Sequence, residues 1–566
     1  MKRADARSSA LDALIAFALG AVYVVLLLST VKNLGYARDE GFYFRASTNY
    51  KHWFDLLLKA PAQALQQDAV DRYWRDNHEH PAFVKSLFAL SYKFLAVDHP
   101  VFKEAGTAFR FPGMLLSALG VSTTYLWGRR AISRLAGFVA ALLLAMQPAI
   151  FYHSHLACFD VAVLSMWLVT TYAYVRSLDG GGLPWALLTG VLYGFELDTK
   201  HNAWLLPPAL VLHFLVTRGV PRIRRDLRAG RTALPLALLT MATIGPVVFY
   251  VGWPWIWFDT GRRLVEYVSF HVNHDYYNME FLGVTYFRPP MPRLYAWVMT
   301  LATVPTITIV LFGLGLARSA LELPFGKRAR QATASERKTR AEAFSNRTLW
   351  ALCLFTSYAP WLSPMTPIFG GTKHWITAYP FLCLFAGTGF DWVLGKIAAL
   401  ASERLRARRV PELALTLSVL AAPTVMTLHA HPWGLSAYVP LVGGTPGGAS
   451  LGLNRSFWGY TTGAVQDFVN AHAPKNANVY VHDTALDSWY RFVHDGRLRA
   501  DLNGTLALSG SDVGLYHHEQ HMAKVEHELW VDYGTVAPAT VGENDGVPIV
   551  WVFIRPGRGV AMPPRP

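Results

Sequence analysis

Cysteine is almost missing from this 566-residue chain: there are three, Cys158, Cys353 and Cys383, and each lies inside an apolar run. That excludes a disulfide framework, and the three read as small packing residues. Charge is also sparse. Asp, Glu, Lys and Arg make up 16% of the chain where soluble domains carry roughly 25%, and 52% is hydrophobic, so a purely soluble protein is excluded. No repeat of fixed period is evident. The net charge of +14 does not indicate a nucleic-acid partner, because the basic residues stand in short clusters between apolar runs. A cleaved leader is not indicated either. About 18 mostly apolar residues run from Leu14 to Val31, and Lys32-Asn33 follow with no small-residue cleavage site, so this run reads as a retained first span.

What is present is apolar sequence in repeated runs, from Leu14 to about Leu428, followed by a tail of about 135 residues without them. A span needs about 20 largely apolar residues. On that basis about eleven are expected, near 12–31, 109–127, 135–151, 156–175, 183–198, 203–217, 233–257, 294–317, 348–369, 375–395 and 411–429. Alternate connections hold Arg129, Arg130 and Arg134; Arg222, Arg224, Arg225, Arg228 and Arg231; Lys327, Arg328, Arg330, Arg337, Lys338 and Arg340; and Arg404, Arg406, Arg408 and Arg409. All four clusters fall on the side of the N-terminus, which the positive-inside rule makes cytoplasmic. Two long loops, 32–105 and 258–293, and the tail are then expected outside the cytoplasm. The domain reading is a membrane module over 1–430 and an extracytoplasmic α/β domain over 431–566.

Ionisable groups at membrane depth are costly and mark function. Arg110, Asp160, Glu196, Asp198, Lys200, Lys373 and His374 all fall at the outer ends of their spans, whereas Asp12, Asp391 and Glu412 fall at inner ends and read as solvated or snorkelling. Just past the first span comes Tyr36-Ala37-Arg38-Asp39-Glu40-Gly41-Phe42-Tyr43, an acidic pair that can supply a general base or a metal ligand. Its plain alternative is a solvated pair. His78-Glu79-His80-Pro81 could bind metal, but alternation puts ligands on opposite faces of an extended segment. Lys200 with His201, Arg110 and Lys373 could hold an anion such as an interfacial phosphate, or could snorkel to lipid headgroups.

Asp39-Glu40 after the first span, His80-Pro81 with Lys85, and Phe109-Arg110-Phe111-Pro112 resemble the bacterial family 39 glycosyltransferases. These are relatives of the protein O-mannosyltransferases and of the lipid A aminoarabinose transferase, with the GT-C membrane fold. Asp160 in Leu156-Ala157-Cys158-Phe159-Asp160-Val161, the segment Gly194 to Lys200, and Gly370-Gly371-Thr372-Lys373-His374 before Tyr379-Pro380 are similar too. So are His431-Pro432-Trp433-Gly434-Leu435, Gly443-Gly444 and Phe457-Trp458-Gly459 in the tail. The resemblance implies an inner-membrane enzyme that moves a sugar, hexosyl or pentosyl, from a polyprenyl-phosphate carrier to a protein, lipid or glycan acceptor, with inversion. It implies Asp39 as general base, Glu40 and Asp160 in support, and Lys85, Arg110, Lys200 and Lys373 on the departing phosphate. His201 and His374 join the substrate-binding set. Ala82 after His80-Pro81 and His201-Asn202 after Lys200 depart from the family pattern. No cofactor is firmly implied; a divalent metal on Glu79, His80, His271 or His274 would follow some relatives.

In the second long loop, His271-Val272-Asn273-His274-Asp275-Tyr276-Tyr277 and Tyr286-Phe287-Arg288-Pro289-Pro290 suit interfacial anchoring or sugar stacking, with Arg288 as a further phosphate contact. In the tail, 478–482 and 548–553 read as strands. His517 and His521 would share a helix face and could ligate a metal, but with no His-Glu-x-x-His motif His517, His518, His521 and His527 read as a solvated helix, and Arg555 to Pro566 as a disordered end. The competing reading is a transporter or flippase for a lipid-linked or anionic substrate. Transporters, however, place their charges near the midplane between repeats.

Overall fold

The structure, a computed structural model, describes residues 2–219, 234–323 and 333–558, with Ile223, Arg225, Arg228 and Ala229 between them. Of the residues singled out above, Arg222, Arg224, Arg231, Lys327, Arg328, Arg330 and the stretch 559–566 lie outside that description.

Helix follows the apolar runs, because a chain in lipid must satisfy its backbone polar groups internally. Helical residues overlie all eleven segments, from Lys2–Thr30 to Val410–Ala430. Four described helices are long and apolar enough to cross a membrane, or up to six if each of two bent pairs is one span. The bends fall where proline interrupts the ladder. Arg134–Ala145 turns by 73° into Pro148–Ser154, and Tyr295–Thr303 turns by 118° at Val304-Pro305 into Thr306–Leu321. The segment expected at 348–369 is displaced: its helix is Ala334–Tyr358, and Pro360, Pro364 and Pro367 keep the rest irregular.

Small residues set the closest helix contacts, as expected where lipid supplies no hydrophobic drive between helices. Gly190 and Gly194, four apart on Gly182–Leu197, lie against Thr240 and Val248 of Leu236–Gly252, and Gly315 and Gly389 let Thr306–Leu321 lie against Tyr379–Leu400. Asp12 is a correction. It is buried, accepting hydrogen bonds from Tyr125 Oη (3.0 Å) and Arg134 Nε (2.6 Å) and pairing with Arg129, so it ties three helix ends together instead of being solvated.

The second long loop carries a hairpin, β1 (Met279–Phe281) and β2 (Val284–Tyr286), whose turn residues Leu282 and Gly283 both have positive φ, the geometry that matches strand twist. The tail holds a five-stranded sheet in the order β4-β3-β5-β7-β6, from β3 (Asn478–Tyr480), β4 (Asn503–Thr505), β5 (Val513–His517), β6 (Thr540–Asn544) and β7 (Val547–Ile554). β3 pairs in parallel with β4 and β5; β7 pairs antiparallel with β5 and β6. His517 therefore ends a buried strand, with Nε2 2.9 Å from Thr462 Oγ1, and His521 follows in a separate turn. Only His527 lies exposed on a helix, Ala523–Tyr533; the single histidine helix does not form, because Val513 to His517 pair along their length with β7 and, at Val513 and Gly514, with β3.

One apolar core joins the tail to the first long loop, holding Tyr36, Phe44 and Phe109 together with Val479, Trp489, Phe492 and Val552. Polar clasps close the seam. Asp495 accepts from Ala105 N–H (3.1 Å) and Gly106 N–H (3.0 Å), placing a carboxylate on the first turn of Ala105–Ala131, where free N–H groups and the helix dipole favour it. Tyr36 donates to the same carboxylate at 2.5 Å, and Arg497 pairs with Glu104 at 2.6 Å.

Candidate functional site

Helix Arg38–Lys59 begins as soon as the chain leaves the first span, so Asp39 and Glu40 sit in its first turn. Adjacent residues on a helix point about 100° apart. Glu40 faces inward and is fully buried. Its oxygens accept from Arg110 Nε (2.7 Å) and Nη2 (2.7 Å), from Ala37 N–H (2.9 Å) and from Ala157 N–H (3.0 Å). Asp39 faces the other way, into a cavity of about 840 Å³.

Residues far apart in sequence line that cavity. Asp39 and His80 come from the first loop, Asp160 opens helix Asp160–Arg176, and Lys200 and His201 follow helix Gly182–Leu197. His271 and His274 come from the second loop, Lys373 and His374 precede helix Tyr379–Leu400, and Trp458, Asp483 and Glu519 come from the tail. Lys200 Nζ lies 2.7 Å from Asp160 Oδ1, and His153 Nδ1 lies 3.7 Å from Asp160 Oδ2. Lys373 Nζ is 3.5 Å from Asp39 Oδ2 and 3.9 Å above the Trp458 ring. Burial pushes Lys373 below the ordinary lysine range, with Asp39 and Asp160 acting the other way. Burial disfavours the charged form of four histidines: it brings His271 down to about 4 and lowers His80, His201 and His374 as well.

Four expected site residues do not reach the cavity. Glu40 and Arg110 pair with each other behind it. Lys85 is buried with its ammonium on Asn77 O (2.5 Å) and His80 O (2.9 Å), where it fixes the loop backbone; burial lowers it to about 7. Arg288 is exposed beyond the hairpin. For the metal, Glu79, His80, His271 and His274 all line the cavity, yet they do not converge. His271 Nε2 is 2.9 Å from Glu79 O, the His274 ring stacks on Phe369 at 4.4 Å, and among the described residues no three His, Cys, Asp or Glu side chains form a metal-holding group. The residues present do not fit a metal, and no step is assigned to one.

Sequence reasoning missed Arg38, Trp458, Asp483, Glu519 and His521. Arg38 and Trp458 stand beside Asp39 and within Phe457-Trp458-Gly459, so their neighbours are the available signal. Asp483 stands just beyond β3, and Glu519 and His521 just beyond β5, which become meaningful only once the sheet is docked.

Residues 90–250 match the family model of dolichyl-phosphate-mannose-protein mannosyltransferase. No curated protein matches the chain. Among solved structures, ArnT from Cupriavidus metallidurans bound to undecaprenyl phosphate is 14% identical, with 95% of this chain and 97% of that one covered and a TM-score of 0.46. The archaeal oligosaccharyltransferase AglB from Archaeoglobus fulgidus, in complex with an inhibitory peptide and a dolichol-phosphate, is 13% identical over 73% of this chain and 55% of that one, with a TM-score of 0.42. The family match falls on the stretch that carries Phe109-Arg110-Phe111-Pro112, Asp160 and Lys200, and within that stretch the chain is similar to that family.

Proposed function

We propose that the chain transfers a sugar from a polyprenyl-phosphate donor to an acceptor hydroxyl or amine by inverting displacement, with Asp39 as the general base. The observation that carries this reading is the placement of Asp39, Asp160, Lys200 and Lys373 on one cavity, with two ammonium groups beside two carboxylates. Displacement at an anomeric carbon needs a base at the acceptor and positive charge where phosphate departs. Asp39 takes the acceptor proton as the new bond to the anomeric carbon forms. The bond from that carbon to the phosphate oxygen breaks, its electron pair stays on the phosphate, and Lys200 and Lys373 stabilise the added charge. Asp160 holds Lys200 in place, and His201 and His374 line the donor side. Glu40, paired with Arg110, supports Asp39 by anchoring the first turn of its helix, and Lys85, Arg110 and Arg288, which do not reach the cavity, are given no contact with the phosphate.

In this reading the eleven-span arrangement puts the N-terminus in the cytoplasm and the cavity and tail on the far side of the plasma membrane. Acceptors there include protein, lipid and glycan. The transporter reading gains no observation of its own. The test is transfer from polyprenyl-phosphate sugars by purified wild type and Asp39→Asn. The variant is expected to bind donor normally and to lose transfer by about 10²- to 10⁴-fold. Full transfer by a folded Asp39→Asn would remove Asp39 from the role.

A further inference from the structure

Asp39 is approached by two cations, and the first loop alone places neither. Arg38 comes within 3.7 Å of Asp39 through Nε, but its Nη1 is 2.5 Å from Asp483 Oδ1. Lys373 is 3.5 Å from Asp39, and its ammonium lies over the ring of Trp458. Asp483 and Trp458 both belong to the tail, more than 400 residues beyond Asp39. The tail also grips both polar groups of the peptide between Ala37 and Arg38. Arg38 N–H donates to Trp458 O at 2.7 Å, and Ser488 Oγ donates to Ala37 O at 2.8 Å. Gly459, at φ +59°, locks the two tail segments together: a Cβ there would stand 2.5 Å from Asp483 O.

We infer that Asp483 and Trp458 are positioning residues for Asp39: they hold Arg38 and Lys373 close enough to orient its carboxylate but too far to saturate it. The inference rests on the reading of Asp39 as base. Contacts of 3.5 and 3.7 Å are longer than hydrogen bonds, so the Asp39 oxygens stay open to an acceptor proton. A guanidinium released from Asp483 would close on Asp39 as a charge-assisted pair, as Arg110 does on Glu40. The tail is then a working part of the site. Its sheet need not touch the sugar to control the base.

The charged and titratable groups facing Asp39 are Arg38 and Lys373 in contact, with Tyr43, Cys158 and Asp483 further off. Neutralising Asp483 removes one negative charge and frees Arg38, and both changes favour ionised Asp39. Removing Arg38 acts in the opposite direction. The experiment is pH-dependent carbodiimide labelling of Asp39 in the full-length detergent-purified protein, read by peptide mass spectrometry, because carbodiimide attacks the protonated carboxyl. In Asp483→Asn the half-labelling pH is expected to fall by about one unit and kcat to fall at least about 10-fold with donor KM unchanged. In Arg38→Gln the half-labelling pH is expected to rise, and Asp483→Glu should restore wild-type behaviour. Trp458→Phe should preserve kcat, whereas Trp458→Ala should lower it.

Unchanged labelling in both Asp483→Asn and Arg38→Gln, or shifts of the same sign, would overturn the inference. So would the expected shifts with kcat intact. If Asp483→Asn does not accumulate as folded protein, Arg38→Gln decides the question by the sign of its shift. The expected labelling shifts in an enzyme whose wild type transfers no sugar would leave the positioning in place and sink the glycosyl-transfer reading instead.

Discussion

Asp39 and Glu40 are neighbours in sequence, yet the regions they enter are opposites. Behind the helix, Glu40 is fully buried and takes four hydrogen bonds of 2.7 to 3.0 Å, two of them from Arg110. In front of it, the Asp39 side chain keeps 20% of its surface and meets its cations only at 3.5 and 3.7 Å. A buried carboxylate whose lone pairs are all occupied anchors structure, and removing its partner leaves an uncompensated charge. A carboxylate with open lone pairs on a cavity can accept a proton. Acidity and position in the chain are shared; coordination separates the two roles.

Substitutions that exchange the two behaviours break or sharpen this contrast. The largest effect is the loss of transfer in Asp39→Asn, accompanied by a thermal transition within a degree or two of wild type. Glu40→Gln should do the reverse, lowering unfolding stability by about 3–5 kcal/mol because Arg110 is left buried without its counter-charge. Differential scanning fluorimetry in detergent checks both, and equal destabilisation by the two would dissolve the distinction. Asp495→Asn, which weakens the carboxylate contact to the first turn of Ala105–Ala131, should cost about 1–2 kcal/mol and loosen the seam between tail and loop, visible as faster hydrogen exchange over 34–38. The dependence on acid is a separate effect, confined to a pH window. His271 titrates near 4 in the fold against an ordinary 6.5, because burial disfavours its charged form. The unfolded chain therefore binds the proton first, and stability present above 6.5 is lost as pH falls from 6.5 toward 4. A His271→Gln variant should show a flatter stability profile across that window.

The sequence made the apolar segments legible because hydropathy needs no tertiary information. It also placed Asp39, Asp160, Lys200, His201, Lys373 and His374 at one level, since each stands at the same end of its expected span, and all six line the cavity. Direction was not legible. Lys85 and Arg110 share the charge and depth of Lys200 and Lys373, but Lys85 turns into its own loop and Arg110 into Glu40. The four expected metal ligands line the wall without converging, because His271 is spent on the Glu79 carbonyl. The burial of Asp12 was not legible for a similar reason: its partners Arg129 and Arg134 are distant in sequence and adjacent only when three helix ends meet.

The tail shows the boundary most clearly. Its β3 and β7 are legible as short apolar runs, but β5 lies between them in the sheet, and the spacing of its histidine suggests a helix that the strand pairing replaces. By itself the sequence determined a helical membrane chain and a level at which its ionisable groups gather, since hydrophobic run length and charge position are properties of the chain alone. Only the tertiary structure decided which carboxylate stays open and which cations face it. That choice depends on side-chain direction and on Trp458 and Asp483, brought from the far end of the chain by packing.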